Sequence, residues 1–228
     1  MKKIVLALNL LLACMALTGC SENEIELYDQ PNSINFYYKG ASIVFTDKDY
    51  LNEKLDSVYL VRVQLQGDFL TENRTFCLKS VEREGYKSLA SIEYENPYTY
   101  DNLEDVTDEL YIRILRPENP TDGIDKACGA LVVFDVENLA HQFAKGREDK
   151  AQLAVTVDYK FKPNGWEDWL WGDYSYGKYR FMLDTLGVVY DDIEWGSDET
   201  VRTAYDEYLK THDPILDDKG EPIEFPAE

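Results

Sequence analysis

Histidine is almost missing from this sequence: 228 residues contain two, His141 and His212. With no H-E-x-x-H run around either, little material exists for a His-based zinc centre or a catalytic triad. Each reads instead as a surface or helix-end residue. Basic residues are scarce as well, at 23 Lys+Arg against 44 Asp+Glu, a net charge of −21. Such a surface repels phosphate backbones and anionic head groups, which speaks against nucleic acid as a partner and against basic membrane docking. No G-x-S-x-G elbow, P-loop or dinucleotide-binding glycine fingerprint occurs. Two acidic stretches, Asp191-Asp192-x-Glu194 and Asp217-Asp218-x-Gly220-Glu221, have oxygen ligands without the spaced calcium loop, so no metal and no cofactor is expected. Acidic pairs such as Glu104-Asp105 read as solvated loops. A glycoside hydrolase built on paired carboxylates is therefore the least favoured function, and the chain reads as non-enzymatic.

What the sequence does have is apolar and aromatic content: 44% hydrophobic, with 17 Tyr and 4 Trp. That is enough to build a core and is incompatible with a disordered acidic tail. The start of the chain reads as an address. Met1-Lys2-Lys3 is a basic lead, Ile4 to Leu17 is an apolar run of signal-peptide length, and Leu17-Thr18-Gly19-Cys20 resembles a bacterial lipobox. Residues 1–19 are read as a signal peptide, with lipid expected on Cys20 and a tether over 20–31. That arrangement anchors the protein to a membrane rather than spanning it. Loss of Lys2 and Lys3 with the signal takes the charge from −21 to −23. Ser21-Glu22-Asn23-Glu24 resembles, with Asn23 interrupting it, a surface-export signal of outer-membrane lipoproteins. Cys14 leaves with the signal, so Cys77 and Cys128 remain, either as one disulfide or as two buried thiols.

From 32 to 160 the pattern is short strands and turns, with Val61, Val63 and Leu65 on one face at period two. Strands are expected over 33–38, 43–45, 58–65, 75–81, 88–94, 110–115, 130–134 and 153–159, with loops at 95–109 and 117–127. A helical turn is expected around Leu139. The fold class is mainly β with α: an immunoglobulin- or fibronectin-like β-sandwich over 32–160, then an aromatic-rich helical unit over 161–228 packed against it. In that unit Ser175 caps a helix with apolar Tyr179, Met182, Leu183 and Leu186, closed by Gly187, and Ser197 caps a second that stops before Pro214.

All four Trp fall between Trp166 and Trp195. Aromatic faces flanked by Glu167, Asp168, Asp191 and Glu194 suit sugar rings. The same rings also suit a hydrophobic joint between helices and sandwich, the reading favoured here for most of them. Trp169, Tyr179 and Phe181 are expected in the core. The ligand-binding candidates are Trp171 and Trp195 first, then Tyr98 and Tyr100 on the acidic loop.

Several stretches carry a family resemblance: Ser33-Ile34-Asn35-Phe36, Asn73-Arg-Thr-Phe76, Pro163-Asn-Gly-Trp166, Gly172-Asp-Tyr174-Ser175-Tyr-Gly-Lys178-Tyr179-Arg-Phe181 and Gly220-Glu-Pro-Ile-Glu-Phe-Pro226. With the lipobox, they resemble an uncharacterised surface-lipoprotein family of the Bacteroidetes, domain of unknown function 4843, found beside uptake genes of the starch-utilisation type. The resemblance implies an outer-membrane lipoprotein with an immunoglobulin-like domain. It would be encoded beside a TonB-dependent transporter and that transporter's substrate-capturing lipoprotein. The expected function is therefore a ligand-binding or scaffolding accessory of glycan or peptide uptake, with a cell-surface adhesin-like module as the alternative. The resemblance supplies no ligand or catalytic residues.

Overall fold

A computed structural model describes residues 31–226. The expected signal peptide, Cys20 and most of the expected tether lie outside the described residues. The architecture is mainly β. One five-stranded sheet has the order β11-β1-β3-β9-β7, from β1 (Ser33–Phe36), β3 (Asp56–Gln66), β7 (Ile92–Glu93), β9 (Thr107–Leu115) and β11 (Ala144–Lys145). A second has the order β2-β12-β10-β5, from β2 (Gly40–Thr46), β5 (Leu78–Glu82), β10 (Cys128–Phe134) and β12 (Gln152–Lys160), with β6 (Ser88–Leu89) also on β10. A small third pairs β4 (Arg74–Phe76) with β8 (Tyr98–Tyr100).

The alternation seen in the sequence is what buries these strands. On β3 the buried side chains are Val61, Val63 and Leu65, and on β9 they are Leu110, Ile112 and Ile114. On β12 they are Leu153, Val155, Val157 and Tyr159. Period-two burial puts each apolar set on one face, and the two faces contribute to a single core.

Several expectations are corrected. The strand expected over 75–81 is broken at Cys77 into β4 and β5, which belong to different sheets. There the chain leaves the ladder: the Cys77 N–H donates to His141 Nδ1, and the Asn96 side chain bonds both Leu78 N–H and Leu78 O. The strand expected over 88–94 likewise divides around Ala90. The expected loop at 95–109 contains β8 and the start of β9. No helix forms around Leu139, which is fully exposed on a run of turns. An unforeseen helix α1 (Asp47–Leu51) follows β2, held by a capping box in which Asp49 accepts from Thr46 N–H at 2.8 Å.

Three more helices follow, α2 (Asp168–Trp171), α3 (Tyr176–Leu186) and α4 (Ser197–Leu209). Ser175 caps α3 by accepting from Lys178 N–H, and Gly187 closes it in the left-handed conformation (φ 70°) that glycine tolerates. On α4 the cap is Gly196 rather than Ser197, whose hydroxyl donates to Glu194 O. Tyr179, Met182, Leu183 and Val201 share the strands' core. At this joint Phe161 is ringed by Tyr50, Tyr159, Tyr176 and Tyr179 at centroid distances of 4.9–5.6 Å. The Tyr179 hydroxyl donates to Asp47 Oδ2 at 2.7 Å and accepts from Tyr190 N–H at 3.0 Å. Burial, followed by the Asp47 carboxylate, drives its pKa upward, so it stays protonated. Among the described residues, no helix is long and apolar enough to cross a membrane.

Candidate functional site

Trp169 and Trp195 form an exposed aromatic pair. They are 64% and 86% exposed, with centroids 6.1 Å apart and ring planes tilted by 37°. Short local elements create the pair. On the four-residue helix α2, Trp171 points inward and is buried, so Trp169, two positions earlier and about 200° around the helix, points outward. Trp195 sits where the chain leaves a 3-10 turn (Tyr190–Asp192) and passes through Gly196, at φ 86°, into α4. Large aromatics normally gain by burial, so two adjacent exposed indoles form a surface suited to a partner.

Polar groups flank the pair. A cleft of about 410 Å³ is lined by Trp169, Trp195, Asp198, Arg202 and Pro226. Arg202 pairs with Asp198 at 2.8 Å, and its Nη1 donates to Pro226 O at 3.0 Å. An adjoining recess of about 220 Å³, which shares Trp195 and Asp198 with that cleft, carries Glu167, Tyr190 and Glu194. Arg202 and Pro226 also border a larger cleft of about 1150 Å³ containing Lys178, Tyr205 and Phe225. Lys178 is buried, and its ammonium donates to Trp171 O at 2.9 Å and Asp173 O at 2.8 Å. Burial pulls its pKa down, while Asp173 and Asp217 oppose that shift. Asp217 is itself held low, chiefly by the Glu221 backbone N–H. The arrangement offers stacking faces with charged acceptors and donors at their edge, which is binding chemistry. Among the described residues, no group of three His, Cys, Asp or Glu is placed to hold a metal ion.

Of the residues singled out from the sequence, Trp195 is exposed and belongs to this pair. Trp171, Tyr98 and Tyr100 are corrected, because all three are buried. Tyr98 and Tyr100 are i, i+2 on β8 and face inward, Tyr98 onto Phe76 and Tyr100 onto Phe143. Their hydroxyls donate to Tyr111 O and Asp105 O. Trp169, expected in the core, is exposed instead. The helical turn of α2, unforeseen from the sequence, is what sends Trp169 and Trp171 to opposite sides.

Cys77 and Cys128 are free and buried. The Asp135 N–H bonds to Cys77 O, so Cys77 lies beside Asp135, seven positions along from Cys128. Seven extended residues span about 23 Å, against about 7 Å for the widest disulfide. Burial raises both thiol pKa values. His141, expected at the surface, has a buried Nε2 with no partner among the described residues.

Residues 28–188 match the family described as Domain of unknown function (DUF4843). The chain belongs to this family. No curated protein matches it. Among solved structures, the apo-form Calx CBD1 domain is similar at 8% identity and a TM-score of 0.34, covering 57% of this chain and 99% of that one.

Proposed function

We propose that this protein is a non-enzymatic ligand-capturing lipoprotein, anchored through Cys20 in the outer membrane and facing outward, that serves a TonB-dependent system for glycan or peptide uptake. The observation that carries the capturing role is the exposed Trp169–Trp195 pair beside the Asp198–Arg202 cleft. Indole faces stack on the C–H face of a sugar ring, and the adjacent carboxylates and guanidinium bond its hydroxyls. The two five-stranded sheets are read as an immunoglobulin-like sandwich that presents this corner, with α2–α4 as a helical unit docked on it. The lipobox-like Leu17-Thr18-Gly19-Cys20 supports the anchor.

The test is intrinsic fluorescence titration of a soluble form, beginning at Ser21, against a panel of neutral, acidic and amino oligosaccharides and short peptides. A binding ligand should change Trp emission, and Trp195→Ala or Trp169→Ala should weaken it about tenfold or more without loss of fold. Unchanged affinity in both variants, or no binding across the panel, refutes capture at this corner. A second reading, a cell-surface protein-interaction module, is favoured by Val58, Leu60 and Tyr111 on adjacent strands, at 60%, 39% and 60% exposure. Stoichiometric co-purification of one outer-membrane protein, lost in Leu60→Asp, would support it over glycan capture.

A further inference from the structure

Where Lys and Arg side chains sit over aromatic rings among the described residues, every ring is Tyr or Phe, as with Arg83 over Tyr86 at 4.4 Å. None of them covers Trp169 or Trp195, although indole is the best aromatic face for a cation and both rings are exposed. Among the described residues, Arg202 is the one cation that lines the cleft beside this pair. It is held elsewhere, by Asp198 at 2.8 Å and by Pro226 O at 3.0 Å.

The charge around the indoles has one sign once that pair is made. The adjoining recess shares Trp195 and Asp198 with the cleft, adds Glu167 and Glu194, and is lined by no Lys or Arg among the described residues. Both glutamates are exposed, and none of the ion pairs among the described residues engages either. They are not drawn together with a third ligand as a metal ion requires. On a chain with 44 acids, exposed carboxylates alone are ordinary. Two uncovered indole faces beside uncompensated carboxylates are not, because both features attract the same chemistry, an organic cation.

We propose that the ligand held at the Trp169–Trp195 corner is a saccharide with free amino groups, an amino-sugar oligomer rather than a neutral or acidic one. This rests on the capturing role given above and names its substrate class. The C–H faces of the sugar rings stack on the indoles, and the ammonium groups at the ring edges meet Glu167 and Glu194. A sugar acid is repelled by the same two carboxylates. A lysine side chain also carries an ammonium, but it has no ring to occupy two aromatic faces with centroids 6.1 Å apart.

The probes are the β-1,4-linked trimers of glucosamine, glucose and N-acetylglucosamine, together with trilysine. They are titrated by calorimetry into the soluble form beginning at Ser21, at mildly acidic pH, where the sugar amines and the carboxylates are both charged. The glucosamine trimer should bind at least about tenfold more tightly than the glucose trimer, and this advantage should shrink as salt is raised. The uncharged N-acetylglucosamine trimer should fall with the glucose trimer. Replacing both exposed glutamates, Glu167→Gln with Glu194→Gln, should bring the glucosamine and glucose trimers to within about twofold of each other. Trp195→Ala should weaken the glucosamine trimer about tenfold. Equal binding of the glucosamine and glucose trimers, or an advantage that survives the double substitution, overturns this inference and leaves capture at the corner standing. Tighter binding of trilysine than of the glucosamine trimer also overturns it, in favour of a peptide. No binding of any probe, or affinities unchanged in Trp195→Ala, refutes the capturing role itself and this inference with it.

Discussion

Removing one oxygen at the joint between strands and helices tests how the fold is held together. In Tyr179→Phe the ring stays, so its packing on Phe161 is kept and no large cavity opens. What is lost is a 2.7 Å bond to the Asp47 carboxylate and a 3.0 Å bond from Tyr190 N–H. A bond to a charged group contributes about 1.5–3 kcal/mol; the lower end applies because Asp47 is only partly buried, and the neutral bond adds about 0.5–1 kcal/mol. The expected loss is about 2 kcal/mol, which for a chain of this size lowers Tm by roughly 4–8 °C. Urea denaturation with an unchanged m-value is the direct assay. In a double-mutant cycle with Asp47→Asn, the two losses should overlap by about 1 kcal/mol. A loss below about 0.5 kcal/mol, or strict additivity with Asp47→Asn, would show that this contact does not hold α1 to α3.

Other perturbations read other parts of the structure. In native protein beginning at Ser21, Cys77 and Cys128 should react slowly with a thiol reagent at neutral pH, and both should titrate rapidly in guanidinium; finding no free thiol when unfolded would contradict the buried, unbridged pair. His141 accepts from Cys77 N–H through Nδ1, and burial lowers its pKa, so the folded state disfavours the imidazolium. Its contribution to stability is then present above the unfolded value near 6.5 and is lost as pH falls through that value toward the folded one. His141→Asn should flatten this part of the stability profile relative to the natural chain, and parallel profiles would refute the assignment. Trp195→Ala should change stability by no more than about 0.5 kcal/mol, because the ring is 86% exposed.

Much of the strand framework was legible in the sequence because it depends on local periodicity. Val61-x-Val63-x-Leu65 and Leu110-x-Ile112-x-Ile114 can hide their apolar side chains only by pointing every second residue inward. The helix from Ser175 to Gly187 was legible for the same reason, with a capping hydroxyl, an apolar stripe and a left-handed glycine in chain order. Where non-local bonds decide, local patterns gave the wrong answer. Cys77 sits in an apolar run but is drawn out of the ladder by His141, 64 residues on.

The candidate site divides in the same way. By itself, the sequence determined that the tryptophans cluster between 166 and 195, since composition is a local property. Only the tertiary structure decided that Trp169 faces out beside Trp195, that Tyr98 and Tyr100 face in, and that Cys77 and Cys128 are too far apart to bridge. Which face of a short element is buried depends on what packs against it. That packing comes from segments distant in the chain, so no window of sequence contains it.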